Sequence, residues 1–447
     1  MSRVLVISAE PVGERMAGPA IRALELARAL AARCEVTLAA PGPSDAGDAP
    51  VELLEAGLWD FDALLAALRR HDVVVAQQLP AQLLRHVARL PVRYVADLYN
   101  PLVVEVLEAL GEGAPREGAI VRRTSLSVLS QCAAADFVIC ASEKQRDLWL
   151  GGLALAGLID PALYRRDPTY RAFIDVVPFG VSEREPRGGE PVLKGVQIAE
   201  EDRVLLWGGG IWRWLDPFTP IRAVERLAAD GRAVHLLFIG VERPALDPEA
   251  TPTSAQEAID YARRRGVEGR CVHFKPGWVP YEERDRFLLE SDIGVSAHHD
   301  HLEARFSFRS RVLDYLWAGL PVVTSAGDAV GDLVEREELG SAVEPGDDAA
   351  FARACAKLLD DPDGYAGTAE RVREAAASLR WSQAAAPLVA YCAEFEQRPV
   401  PARRRGALAL STYGQYPAIA GELGAAETAR RARSFVSRAL RHRGRAG

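Results

Sequence analysis

The chain has 447 residues, 49% of them hydrophobic and 26% charged, with a net charge of −8. That length exceeds what one hydrophobic core usually supports and predicts two domains, while the composition excludes wholesale disorder and the short apolar runs exclude a membrane-embedded class. Ten Arg and two Glu fall within 401–447, so residues 1–400 carry −16, and an acidic body of this kind excludes general nucleic-acid binding.

In chain order, MSRVLVISAEP turns polar too soon for a signal peptide, which predicts a cytoplasmic chain. Its run RVLVIS (3–8) predicts a strand, followed by a loop containing Gly13 and Gly18. Residues 19–33 then repeat apolar positions at helical spacing. Apolar runs at 35–40, 72–77, 93–98 and 136–141 predict further strands, and their alternation with helices predicts a parallel α/β layout. Residues 177–192 (VPFGVSEREPRGGEPV) are turn-rich and charged and read as a linker. The pattern then restarts, with a strand at 203–207, Gly208-Gly209-Gly210 as a loop, a helix over 219–227, and strands at 233–240, 271–275, 292–297 and 321–325. The reading is of two Rossmann-like domains, 1–182 and 193–380, joined by a linker at 183–192, with an inter-domain cleft at the carboxyl ends of the strands. A helix at 381–398 and an Arg-rich tail at 401–447 follow. Within the tail, 425–445 reads as a basic amphipathic helix, either lying on anionic lipid or docked on the protein's own acidic surface. Six scattered cysteines without CxxC spacing (Cys34, Cys132, Cys140, Cys271, Cys355, Cys392) predict core thiols in a reducing compartment.

The stretch FSFRSRVLDYLWAGLPVV (306–323) carries the chemistry. Ser307 or Ser310 can cap a helix through Trp317, with Gly319 as its stop. The open N–H groups of its first turn and the guanidinium forks of Arg309 and Arg311 suit phosphate oxygens. Asp314, three residues after Arg311, could accept hydroxyl protons from a ribose or hexose. The competing reading is an Arg–Asp pair on a solvated helix face. The three glycines at 208–210 would let backbone approach a phosphate closely. In KPGWVP (275–280), Lys275, Pro276 and Trp278 follow a strand, and Trp278 could stack on a base or simply pack in a turn. HHDHLE (298–303) is rich in metal-ligand types, but consecutive residues rarely converge on one ion, so no metal is predicted. In the first domain, Gly18 and Arg22 sit beside the first loop, and Asp97, Tyr99 and Asn100 follow the strand at 93–98. Asp97 reads equally as a base or acceptor-hydroxyl partner and as the cap of a helix opening near Pro101. Glu105 reads as a surface residue.

These motifs resemble the family-4 glycosyltransferases of GT-B fold. The run from VHFKPGWVP through LDYLWAGLPVV to AKLLDD resembles their C-terminal domain, and MAGPAIRALELARAL (16–30) and DLYNPL (97–102) resemble their N-terminal domain. The resemblance implies a metal-independent transfer from a nucleoside diphosphate sugar to a glycan or lipid-linked acceptor hydroxyl. It further implies retention at the anomeric carbon, with the departing phosphate oxygen able to take the acceptor's proton. A place in surface polysaccharide or glycoconjugate synthesis and peripheral contact with the inner membrane face through the tail follow as expectations. The family grips its donor with two glutamates eight positions apart. The second maps onto Asp314 and the first onto Phe306, with Glu303 nearby as a substitute. GGGIWRWLDP lacks the family's loop arginine and lysine, leaving Arg213 to join Arg309 and Arg311 around the diphosphate. The expected roles are therefore catalytic for Asp97, Arg213 and Arg309, and donor-binding for Gly209, Gly210, Lys275, Trp278, Glu303, Arg311 and Asp314. Gly18, Arg22, Tyr99 and Asn100 fall on the acceptor side. Two alternatives stay open: a non-catalytic nucleotide-sugar-binding subunit, and a GT-B sugar-nucleotide epimerase.

Overall fold

The structure, a computed structural model, describes residues 1–110, 116–241, 253–398 and 430. Seven short apolar segments pair as one parallel sheet: β1 (Arg3–Ile7), β2 (Glu35–Ala40), β3 (Glu52–Glu55), β4 (Val73–Ala76), β5 (Arg93–Asp97), β6 (Phe137–Cys140) and β7 (Ile174–Val176), in the order β3-β2-β1-β4-β5-β6-β7. A second parallel sheet contains β8 (Arg203–Gly210), β9 (Val234–Gly240), β10 (Val272–Phe274), β11 (Ile293–Ser296), β12 (Val322–Ser325) and β13 (Gly340–Val343), in the order β10-β9-β8-β11-β12-β13. Strands such as β4 and β11 are buried along their whole length because helices cover both sheet faces. Each order reverses beside its first strand, at β1/β4 and at β8/β11. A crevice opens outside the carboxyl ends of the strands at such a reversal. Gly18 and Gly208–Gly210 lie at those two points. This is the two-Rossmann-domain, GT-B architecture.

Two differences from the sequence reading have clear causes. Residues 208–210 are the end of β8 and not a loop, with a register shift between Trp207 and Gly210. At this irregularity the backbones of β8 and β9 come so close that a Cβ on Gly240 would lie 2.2 Å from Gly209 C. The glycines therefore serve close strand packing first. The helix expected over 381–398 is two helices, Trp381–Ala384 and Ala386–Ala393.

Those last helices cross back to the first domain and pack on the helix Gly18–Ala31. Trp381 is 2% exposed, and Tyr391 stacks on Phe137 at 4.4 Å. A backbone clasp holds the crossing: Val181 N–H donates to Leu379 O at 2.7 Å, and Trp381 N–H donates to Val181 O at 3.0 Å. Residues 183–192 form no regular element. All six cysteines are buried and free. No helix among the described residues is long and apolar enough to cross a membrane. The basic tail at 401–447 lies outside the described residues apart from Arg430.

The clasp yields a test. A Cβ on Gly180 would sit 2.6 Å from Trp381 Cα and 2.7 Å from its ring. Overpacking of this kind costs about 1–3 kcal/mol. Gly180→Ala is expected to lower the Tm by several degrees in a thermal melt, whereas Gly151→Ala, inside the helix Glu143–Leu155 with no atom within 4 Å of the added Cβ, should leave it unchanged or raise it slightly.

Candidate active site in the inter-domain cleft

Both domains contribute to a cavity of about 400 Å³. Its second-domain wall is organised by Tyr315, which is fully buried in the helix Arg311–Trp317. Gly294 leaves room for the Tyr315 ring, since a Cβ there would lie 2.2 Å from the ring carbon Cγ. The hydroxyl of Tyr315 donates to Val295 O at 2.8 Å and accepts from Gly208 N–H at 2.8 Å. One helical turn earlier, Arg311 donates from Nη2 to Gly210 O at 2.8 Å and lies over the Trp207 ring at 4.6 Å. Its Nη1 is buried without a hydrogen-bond partner, and no carboxylate among the described residues pairs with it. Burial pushes the Arg311 guanidinium down to about 10, the Tyr315 interaction opposing and the nearby Arg309 charge adding to the effect. Asp314 reaches the same cavity, with Oδ1 accepting from Arg284 Nε at 2.9 Å. Arg284 is itself stacked over Tyr281 at 3.7 Å and Trp317 at 4.3 Å, so the carboxylate is held from a rigid base.

Of the residues singled out from sequence, Gly209, Gly210, Trp278, Arg309, Arg311 and Asp314 line the cavity from the second domain, and Gly18, Tyr99 and Asn100 line it from the first. Trp278 keeps a buried indole N–H without a partner. Arg213, Lys275, Glu303, Asp97 and Arg22 are not among the lining residues.

Each of those five misses has a physical reason. Arg213 points to solvent from the segment after β8. Lys275 turns to Pro276 O at 3.2 Å and the Phe287 ring at 5.6 Å. Glu303 is fully buried, taking Arg309 Nη1 at 3.0 Å and Nη2 at 2.8 Å and the Ser307 hydroxyl, so it cannot stand in for the carboxylate missing at Phe306. That pairing also neutralises Arg309, whose Nε lies 3.5 Å from Asp328. Asp97 neither caps a helix nor faces the cavity. Arg22 Nε and Nη2 donate to its two oxygens at 2.7 and 2.8 Å. Arg22 is 0% exposed, lies against the Tyr99 and Phe179 rings, and also donates to Val177 O and Pro178 O.

The helix at 311–317 is two turns long, Ser310 makes no side-chain cap bond, and Ser307 is spent on Glu303. The uncompensated positive charge at this wall is therefore that of Arg311 and not of the helix end. Gly319, at φ 73°, ends the helix as expected. The HHDHLE segment divides its side chains. His298 is buried, with Nδ1 bonded to His299 O and its pKa lowered by burial; His299 is exposed; His301 accepts from Ala304 N–H. Among the described residues no three His, Cys, Asp or Glu side chains converge as metal ligands.

Among the cavity residues that escaped or were misplaced by the sequence reading are Trp212, Trp214, Arg284 and Glu105. Trp212 and Trp214 stack on each other at 5.6 Å with an interplanar angle of 11°, and the W-x-W spacing directly after the glycines was the available signal. Glu105, half-buried, lines the cavity. Its signal was a carboxylate set among the apolar residues of LVVEVLEAL, one helical turn before a second glutamate, Glu108.

Residues 203–361 match the family described as glycosyl transferases group 1. No curated protein matches the chain by sequence. Among solved structures, sucrose-phosphate synthase from Thermosynechococcus elongatus is similar over 89% of this chain and 100% of its own, at 18% identity and a TM-score of 0.60. Alr3699/HepE of Anabaena, in complex with UDP-glucose, is similar over 89% and 100%, at 14% identity and a TM-score of 0.59. WaaG, a glycosyltransferase involved in lipopolysaccharide biosynthesis, is similar over 88% and 99%, at 18% identity and a TM-score of 0.56.

Assigning Arg22 and Asp97 to architecture has a measurable consequence. Removing one partner of a buried pair costs about 3–5 kcal/mol because the other charge is left uncompensated. Arg22→Met is expected to lower the Tm by on the order of 10 °C, and adding Asp97→Leu to recover part of that loss.

Proposed function

We propose that this GT-B glycosyltransferase, with its group 1 domain at residues 203–361, moves a sugar from a nucleoside diphosphate sugar to an acceptor hydroxyl in the cleft. The observation that carries the proposal is Arg311: a desolvated guanidinium on the cavity wall, with one N–H pair unused and no carboxylate to neutralise it. Such a group is stabilised by an incoming anion, and a diphosphate supplies one.

The rest of the wall fits the same ligand. Asp314, aligned by Arg284, is placed to accept ribose hydroxyl protons. In this reading Trp278, which lines the cavity beyond β10 and whose indole N–H has no partner, takes the base. The stacked Trp212 and Trp214 offer an apolar face for the C–H side of a pyranose. As the glycosidic C–O bond breaks, its electron pair passes to the diphosphate and the sugar becomes oxocarbenium-like. A preorganised cation in a water-poor site stabilises that developing charge without reorganising. Arg311 thereby performs what a divalent ion performs elsewhere, so the reading is of a metal-independent enzyme. Retention at the anomeric carbon, as the family resemblance implies, would bring acceptor and leaving oxygen to one face. The similarity to WaaG supports an acceptor in polysaccharide or glycoconjugate synthesis.

Thermal shift and calorimetry against UDP-, GDP-, dTDP- and ADP-sugars test the donor site. At least one nucleotide sugar should bind, Arg311→Met should weaken it by roughly 10–100-fold, and Asp314→Ala by roughly tenfold, the worth of charge-assisted hydrogen bonds. Arg213→Ala should leave affinity unchanged. Nucleotide binding that survives Arg311→Met undiminished would remove the basis of the assignment.

A further inference from the structure

The cavity wall given by the first domain holds a carboxylate that donor binding leaves unused. Glu105 stands in the first turn of the helix Leu102–Leu110 and lines the cavity. Its Oε2 accepts from Asn100 Nδ2 at 2.6 Å, which fixes the plane of the carboxyl group. No other hydrogen bond or ion pair engages it among the described residues, so Oε1 is left for a ligand. Burial pushes this carboxyl up to about 7, against the Asn100 hydrogen bond; the Glu303 charge adds to the rise and the Arg309 charge opposes it.

The other acids near the cleft are committed. Asp97 is gripped by Arg22, Glu303 by Arg309, and Asp314 by Arg284 on the donor side. Glu10 also lines the cavity and is not free.

Building on the donor reading above, we propose that Glu105 is a catalytic residue that holds the acceptor hydroxyl and takes its proton. In that step the acceptor oxygen forms its bond to the anomeric carbon. The bond from that carbon to the diphosphate oxygen breaks, its electron pair staying with the diphosphate at Arg311. The acceptor's proton passes to Glu105 Oε1. Position favours this role: Glu105 comes from the first domain, and Arg311 and Asp314 come from the second, so acceptor and nucleotide are held by different domains of one cavity. Chemistry favours it too, because a base whose proton affinity lies near the working pH is the most effective proton acceptor.

The test uses the full chain with the nucleotide sugar that gives the largest thermal shift. Nucleoside diphosphate release is followed between about pH 5 and 9, first with water and then with free glucose as the acceptor. A carboxylate base works only when deprotonated, so the wild-type rate should rise with pH through an ionisation near 7. Glu105→Gln should lower kcat by roughly a hundredfold, erase that rise and leave nucleotide affinity unchanged. Glu105→Asp should keep the pH dependence at a reduced kcat. A Gln variant that retains the wild-type rate and profile would overturn the proposal, and it is the outcome expected if the departing phosphate oxygen takes the proton instead. A Gln variant that loses nucleotide affinity would overturn it as well, by moving Glu105 to the donor. A wild-type chain that binds no nucleotide would sink the donor reading first, and this one with it.

Discussion

The hydroxyl of Tyr315, shared between Gly208 N–H and Val295 C=O, joins the ends of two adjacent strands to one helix face. Strand ends at a sheet reversal are where a parallel α/β domain has unpaired backbone and room for a ligand, and they are also where it is least constrained. Tyr315 supplies the missing constraint. Because its ring fills the space left by Gly294, the helix Arg311–Trp317 has one available rotation against the sheet. Arg311 and Asp314, four and one positions before the tyrosine, are then delivered to the cavity together. A helix free to rotate would place the same residues on a solvated face, which is the ordinary fate of an Arg–Asp pair.

Arginines divide in this protein according to what neutralises them. Arg22 and Arg309 are bound bidentately by buried carboxylates, and their charge is consumed in holding one segment to another. Arg284 is paired too, but its partner, Asp314, remains open to the cavity, so the pair acts as a bracket. Arg311 alone of these four meets only a carbonyl and an indole face. An unpaired buried charge is costly to maintain, and a fold retains one where a ligand relieves the cost. The ligand class proposed above follows from that charge: an anion with oxygens to fill a guanidinium fork.

The fold was legible because parallel α/β chains write their strands as short apolar runs and their helices at a longer period. The strands missed, β3 as ELLE, β7 as IDV and β13 as GSAV, are short and at or near sheet edges, where burial on both faces is not required. Among the residues that line the cavity, Arg311 and Asp314 could be picked out because they share one rigid helix register. For Arg213 and Lys275 the sequence offered the correct charge in the correct neighbourhood, but a long side chain chooses its direction by local packing. For Asp97 it offered the correct strand end and concealed the partner, since Arg22 lies 75 residues earlier and meets it only in the folded chain. Glu105 failed the opposite way. An acid at an i, i+3 position of a short helix normally faces water, and only the approach of the second domain encloses it.

Besides the stacking of Phe179 on Phe308, that approach uses polar contacts. Gln145, fully buried, donates from Nε2 to Tyr99 O at 2.7 Å in its own domain and to Phe306 O at 2.9 Å in the other. Lys144 reaches Asp332 at 2.6 Å and Gly327 O at 2.9 Å across the same boundary. Position 306, where the family resemblance calls for a carboxylate, is thus used through its backbone to fasten the domains, and the carboxylate in the cleft comes from the opposite wall. The same fastening dries the space around Glu105 and Arg311. Desolvation raises the proton affinity of the one and lowers that of the other, so each is made less content with its charge by the closure that brings them together. In the proposed reaction, an acceptor hydroxyl arriving at the Glu105 carboxylate and a diphosphate arriving at the Arg311 cation would relieve both strains, and the passage of a sugar would link those two arrivals.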